Sequence, residues 1–347
     1  MYIKNKAVEF ARFFVNPTAC ISPTIQKEKE LAMLNIVFLD RTGIPATHNI
    51  PRPSFPHNWV EYDRTSADET FERAKDADII VTSKVLLGRE LLAKLPKLKL
   101  IAITATGTNN VDLVAAKELG ICVKNVTGYS SVTVPEHVLG MIFSLKHSLM
   151  SYHHDQVTSD RWATCGQFCY TDYPITDIRG ATLGVFGRGN TGAEVARLAQ
   201  AVGMNVIFAE HQGATTIREG YTPFEDVFKQ ADVITLHCPL TEQTQNLINA
   251  ETLALMKPTA YLINCSRGPV VDEKALLQAL ESRQIAGAGL DVLVKEPPAI
   301  DDPLIQAAKR LPNLLLTPHI AWASDSAVTT LVNKVAQNIE EFVKTGK

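Results

Sequence analysis

Short β-branched or aliphatic runs alternate with amphipathic stretches along most of this chain. Runs at 33–40, 77–81, 98–105 and 121–123 read as buried strands, and helical spacing of apolar residues marks 66–75, 88–95 and 112–119 between them. Residues 134–147 form a longer helical candidate. A second series follows, with strands expected at 184–186, 206–208, 233–236, 261–263, 289–292 and 314–316. Helices are expected at 192–202, 272–282 and 324–343. Alternation of this kind indicates parallel sheets covered by helices, an α/β protein. Ala77-Asp78-Ile79-Ile80 is weakly echoed by Ala231-Asp232-Val233-Ile234, each after an amphipathic helix. Shared βαβ construction alone can produce that echo.

Residues 1–32 stand apart. They carry little strand pattern and end in the charged run Lys27-Glu28-Lys29-Glu30, after which Met33 opens the first strand. Two readings are open. Met33 is an alternative start and 1–32 an N-terminal extension, or the segment is a docked helix using Val8, Phe10, Phe13 and Phe14.

Composition narrows the function classes. A chain of 347 residues suggests about two domains, and 46% apolar with 20% charged residues argues against disorder. With 34 Lys+Arg against 37 Asp+Glu the formal charge is −3. That balance offers no footprint for nucleic acid and no polybasic patch for a membrane. No apolar run approaches the roughly 20 residues needed to cross a bilayer, and charges at Lys4, Lys6, Glu9 and Arg12 leave no secretion signal. The six cysteines are scattered; only Cys165 and Cys169 are close, and no second pair completes a zinc spacing. The expectation is a reduced, cytoplasmic protein without a metal.

The sharpest local signal is Gly187-Arg188-Gly189-Asn190-Thr191-Gly192, which follows a strand, opens a helix and leads to a second strand ending at Glu210. In that context Gly187 makes the tight turn, Gly189 lets a pyrophosphate approach the backbone, and Gly192 lets the helix pack closely. The helix N-terminus then faces the phosphates. Glu210 lies 23 positions after Gly187, where an acid can bind the ribose hydroxyls of NAD and repel the 2′-phosphate of NADP.

Three polar residues follow later strands: Arg267, Glu296 and His319. Ligands of open parallel sheets bind at the carboxyl ends of the strands. An arginine's planar fork suits a carboxylate, a histidine suits proton transfer near neutral pH, and a carboxylate can orient that histidine. Spacing alone does not bring the three together. Taken singly, each has a plainer reading: a salt-bridged arginine, a Glu-Pro turn, a capping histidine.

Together with Ala105–Asp112, Leu236–Thr241, Asn264–Asp272, Leu290–Pro297 and Thr317–Ser324, these motifs resemble the D-isomer-specific 2-hydroxyacid dehydrogenases, from about Met33 to the C-terminus. Phe168-Cys169 and His319-Ile320-Ala321-Trp322-Ala323-Ser324 resemble the glycerate dehydrogenases, or hydroxypyruvate reductases, within that family. The resemblance implies that Arg267 binds the substrate carboxylate and 2-oxo group, that His319 is the general acid in reduction, and that Glu296 hydrogen-bonds it. It implies that Asp291 contacts the nicotinamide carboxamide and that Asn190 and Thr191 meet the pyrophosphate. Cys238, Cys265 and Ser266 would lie along the nicotinamide side, and Thr106 and Gly107 would offer backbone donors to the substrate carboxylate. Lys84 would add charge at the substrate mouth, or is simply a solvated lysine.

Two departures stand out. Glu210 replaces the more usual Asp, with His211 beside it, and Asn190 stands where Arg is frequent. The expected architecture is two doubly wound, Rossmann-like parallel-sheet domains with an active-site cleft between them. Residues 33–132 and 319–347 would bind substrate and 133–318 would bind NAD. A homodimer built on the cofactor domain is implied, with 134–147 at its interface. The expected reaction is hydride transfer between nicotinamide C4 and C2 of a small 2-oxo or 2-hydroxy acid. Two alternatives remain: a formate-type dehydrogenase, which would carry Gln at 296, and an NAD-sensing, corepressor-like binding protein.

Overall fold

The computed structural model describes residues 33–346, so both readings of 1–32 fall outside the described residues. The chain divides into two compact units. One runs to Thr127 and resumes at Val328; the other spans Gly128–Ala327. The exchange points lie five residues before 132/133 and nine residues after 318/319. Residues just after His319 stay with the second unit because the Ile320 and Ala321 amides donate to the Asp291 carboxylate, both at 2.9 Å.

The first unit carries β1 (Leu34–Phe38), β2 (His57–Glu61), β3 (Ile79–Thr82), β4 (Leu100–Ile103) and β5 (Cys122–Lys124), all parallel in the order β2-β1-β3-β4-β5. Leu39, Ile80, Ile101 and Ile103 are fully buried beneath the helices. The edge strand β2 is the element the apolar pattern misses. It pairs with β1 alone, so His57, Asn58 and Glu61 remain partly in solvent and no continuous apolar run is needed.

The second unit carries β6 (Thr182–Phe186), β7 (Asn205–Phe208), β8 (Val233–Leu236), β9 (Tyr261–Asn264), β10 (Gly287–Leu290) and β11 (Leu314–Leu316), parallel in the order β11-β10-β9-β8-β6-β7. Apolar cores lie on both faces. One is built on Ile234, Leu262 and Leu276, the other on Val138, Ile142, Val185 and Ile263. Strands buried on both faces read as near-continuous apolar runs, which is why this series is visible in the sequence. Strand β10 stops at Leu290; Asp291 follows it, its amide still donating to the Asn264 carbonyl at 2.9 Å and its side chain receiving hydrogen bonds from 317–321.

The echo between 77–80 and 231–234 has a structural basis. Asp78 accepts from the Asn35 amide at 3.0 Å and Asp232 from the Thr182 amide at 2.8 Å. Each aspartate thus caps the start of the first strand of its unit, and each is paired with a lysine, Lys99 or Lys257. In both sheets the strand order reverses beside that first strand, at β1/β3 and β6/β8. Such reversals open crevices where ligands bind.

Candidate active site

The crevice at β6/β8 is formed by the turn after β6 and by His237 after β8. Gly187 has φ +101°, and a Cβ on it would sit 2.6 Å from the His237 carbonyl oxygen. A Cβ on Gly192 would sit 2.0 Å from the Gly187 oxygen, so side chains are excluded at both positions. A Cβ on Gly189 would meet nothing within 4 Å, which leaves the backbone open on the ligand side. Asn190 and Thr191 open the helix Asn190–Ala201, whose first-turn amides point toward this gap. His237 is half-buried, its ring nitrogen Nε2 lies 2.8 Å from Thr235 Oγ1, and desolvation holds its pKa down to about 4. A turn left open at Gly189 and the start of a helix together leave a backbone surface suited to an anion.

At the end of this half, Glu210 is almost fully buried. Its Oε1 accepts from the His211 amide (2.8 Å) and Arg218 Nη2 (2.6 Å); its Oε2 accepts from the Arg218 amide (3.1 Å) and Nε (2.7 Å). The guanidinium beside it holds the carboxyl down to about 2.

Beyond β9, Asn264 organises the next turn. Its Oδ1 accepts from the Ser266 amide (3.0 Å) and hydroxyl (2.8 Å), and its Nδ2 donates to the Arg267 carbonyl at 2.9 Å. Cys265 and Cys238 are neutral thiols: burial pushes Cys238 up to about 11 and Cys265 higher still, with Asp291 adding to the second shift. Thiols of this kind pack as small apolar groups. Arg267 spends Nη1 on the Ser266 carbonyl at 2.7 Å. Its turn runs tightly against the loop after β10, where a Cβ on Gly268 would lie 2.0 Å from Leu293.

That loop carries Glu296. Its Oε1 accepts from the Leu293 amide at 3.0 Å and its Oε2 lies 2.7 Å from His319 Nδ1. His319 adopts φ +55°, a conformation unusual for a side-chain-bearing residue. It is held there by its amide donating to the Asp291 carbonyl at 2.8 Å and by the Trp322 indole donating to its own carbonyl at 2.9 Å. Trp322 packs edge-on against Tyr129, 6.2 Å between ring centres. Burial raises the Tyr129 phenol to about 12, opposed by the nearby charge of Arg267. The second unit therefore brings Arg267, Glu296 and His319 into one neighbourhood.

Asp291 is more heavily engaged than expected. Its Oδ1 accepts from Thr317 Oγ1 (2.6 Å) and the Ile320 amide, its Oδ2 from the Ala321 amide, and His137 Nε2 lies 3.7 Å away. Asn264, Thr317, His137 and Tyr129 were not singled out from sequence. A buried polar residue ending an apolar strand, as in Asn264, is the one available signal. Thr106 and Gly107 follow β4 in the first unit, where the Thr106 hydroxyl donates to the Val126 carbonyl at 2.9 Å. Lys84, exposed after β3, has its amide fixed by Asp40 at 2.6 Å. Among the described residues no cluster of His, Cys, Asp and Glu could hold a metal, and no helix is long and apolar enough to cross a membrane.

The family description "D-isomer specific 2-hydroxyacid dehydrogenase, NAD binding domain" matches residues 139–321. The chain belongs to the D-isomer-specific 2-hydroxyacid dehydrogenase family and is an NAD-dependent oxidoreductase. It is 68% identical over 311 residues to a protein of Haemophilus influenzae named as a 2-hydroxyacid dehydrogenase, covering 90% of this chain and 98% of the relative. It is 45% identical over 309 residues to a glycerate dehydrogenase of Methylorubrum extorquens, covering 89% and 96%. Among solved structures it resembles D-lactate dehydrogenase from Aquifex aeolicus complexed with NAD and lactic acid. The TM-score there is 0.74 at 29% identity, covering 89% of this chain and 96% of that one.

Proposed function

We propose that the chain reduces hydroxypyruvate to D-glycerate, accepts glyoxylate as well, and runs the reverse oxidation with the same residues. The observation that carries this reading is the 2.7 Å pair between Glu296 and His319, on a loop packed against the Arg267 turn. The glycerate dehydrogenase relative favours this substrate pair. Glu296 also argues against a formate-type enzyme, which carries Gln at that position.

Gly187, Gly189, Asn190, Thr191 and Gly192 would hold the pyrophosphate, Glu210 the adenosine ribose, and Asp291, Cys238, Cys265 and Ser266 would flank the nicotinamide. When bound, the nicotinamide supplies or receives the hydride. The protein's residues do the rest. Arg267 keeps donors beyond the one given to Ser266, and these suit the substrate carboxylate and 2-oxo oxygen. With Nδ1 committed to Glu296, His319 offers Nε2 for proton transfer, giving its proton to the oxygen that becomes the hydroxyl. In the reverse direction Nε2 takes that proton back. The same reading assigns backbone donors of Thr106 and Gly107 to the substrate carboxylate.

The reading extends to a homodimer in the cytoplasm. The helix Thr133–Lys146 spends most of its apolar side chains on its own unit. The exposed apolar residues come just after it: Leu149, Met150, Val157, Trp162 and Phe168. Such a patch suits a subunit contact, so the interface is centred there. Free thiols at Cys122, Cys165, Cys169, Cys238 and Cys265 suit a reducing compartment. Steady-state assays of 2-oxo acids with NADH test the function. Hydroxypyruvate should give the highest kcat/KM. NADH binding with no turnover of any 2-oxo acid would favour the binding-protein alternative.

A further inference from the structure

The acid expected to reject a 2′-phosphate does not stand as an isolated charge. Both Glu210 oxygens are filled by hydrogen bonds, two of them from the Arg218 guanidinium in a bidentate pair. Glu210 keeps 2% of its side-chain exposure, whereas Arg218 keeps 50%. The outward face of the pair is therefore mostly guanidinium. Arg218 lies over the Tyr221 ring at 4.0 Å. Arg188, the second residue of the glycine turn, lies over Phe208 at 4.5 Å and over Tyr221 at 5.5 Å. Arg188 is exposed and makes no ion pair among the described residues. Two guanidinium groups thus flank one tyrosine at the ribose end of the site, against one carboxylate. Guanidinium groups are well matched to phosphate oxygens, and an arginine near the ribose position can receive a 2′-phosphate.

We propose that Arg218 sets cofactor choice in this chain: by pairing with Glu210 it cancels the repulsive charge, and with Arg188 it receives a 2′-phosphate, so that NADPH is bound as well as NADH. The proposal rests on Glu210 lying at the adenosine ribose, as read above. Arg218 would then contribute most of the difference between the two dinucleotides, and Arg188 the rest. Its removal leaves Glu210 as an unpaired carboxylate facing the 2′ position.

The test is calorimetric titration of the full-length protein with NADH and with NADPH, without substrate. The wild-type Kd values should lie within tenfold of each other. Arg218→Ala should raise the NADPH-to-NADH ratio of Kd at least tenfold, and Arg188→Ala should raise it less. If Arg218→Ala lost all dinucleotide binding, Arg218→Gln gives the same comparison, since it removes the charge but keeps a polar side chain, and it should raise the ratio in the same direction. A wild-type ratio above tenfold, or a ratio unmoved by the Arg218 substitution, overturns the proposal while leaving NADH binding intact. Failure of the wild-type protein to bind NADH at all would instead sink the assignment of the ribose site.

Discussion

His319 Nδ1 and Glu296 Oε2 lie 2.7 Å apart, although the two residues are 23 positions apart on separate loops. Glu296 is itself steadied by the Leu293 amide on its other oxygen, so the pair fixes the plane of the imidazole as well as its charge environment. A carboxylate in this position orients the ring and fixes which of its nitrogens is left for the substrate.

Glu296→Gln keeps an acceptor for Nδ1 but removes the charge. A charge-assisted bond is stronger and better directed than a neutral one, so the imidazole plane is held less firmly in the variant. Glu296→Gln should lower kcat/KM for reduction about tenfold while NADH binding persists. An unchanged kcat/KM would disprove the pairing as a working part of the site.

Arg267 is held by the Asn264–Ser266 turn, with its carbonyl and one guanidinium nitrogen tied down. Arg267→Ala should remove charge-assisted bonds worth about 1.5–3 kcal/mol, or roughly ten- to over a hundredfold in kcat/KM. Lysine should restore part of this, since it supplies charge without the planar fork. Calorimetry should show NADH affinity largely retained. Normal kcat/KM in the alanine variant would leave Arg267 with a structural role only.

The β-branched runs and the glycine turn made both parallel sheets legible, because strands buried on two faces leave nearly unbroken apolar sequence. What was hidden depends on side chains meeting across loops. The edge strand His57–Glu61 has polar, half-exposed residues and carries no apolar run. Arg218 reaches Glu210 from an irregular segment without periodicity, so its grip on the acid left no trace in the pattern. Glu296 and His319 could be picked out after their strands but joined only through family resemblance, since each alone reads as a turn or a cap. Asp291 was readable as a site residue, but not its hydrogen bonds to the 317–321 segment, which depend on the strand ending at Leu290.

The half-buried His237 gives stability a pH dependence. Burial depresses its pKa to about 4, whereas an unfolded histidine titrates near 6.5. Between those values the unfolded chain takes up a proton that the folded chain refuses. The stability present above about pH 6.5 is therefore lost as pH falls toward 4. His237→Gln removes the titrating ring while keeping polar contact with Thr235. Its urea midpoint should fall less than the wild type's between pH 7 and 5. Parallel curves would show that the ring does not resist protonation in the folded protein.

Thr317 offers a way to ask whether Asp291 acts on the cofactor or on His319. The Thr317 hydroxyl donates to Asp291 Oδ1 at 2.6 Å, and the same carboxylate holds the Ile320 and Ala321 amides that flank the His319 turn. His319 itself sits at φ +55° with its amide on the Asp291 carbonyl. A conformation of that kind persists only when its surroundings impose it. Thr317→Val removes two contacts at nearly constant volume, the one to Asp291 and one to His137 Nε2 at 3.1 Å, each worth about 1 kcal/mol. If Asp291 works by positioning His319, kcat should fall severalfold while NADH affinity and the substrate KM stay within about twofold. Thr317→Ser, which restores the hydroxyl, should recover most of the loss. If the valine variant instead weakens NADH binding at unchanged kcat, Asp291 serves the nicotinamide and the His319 turn is held by its other contacts.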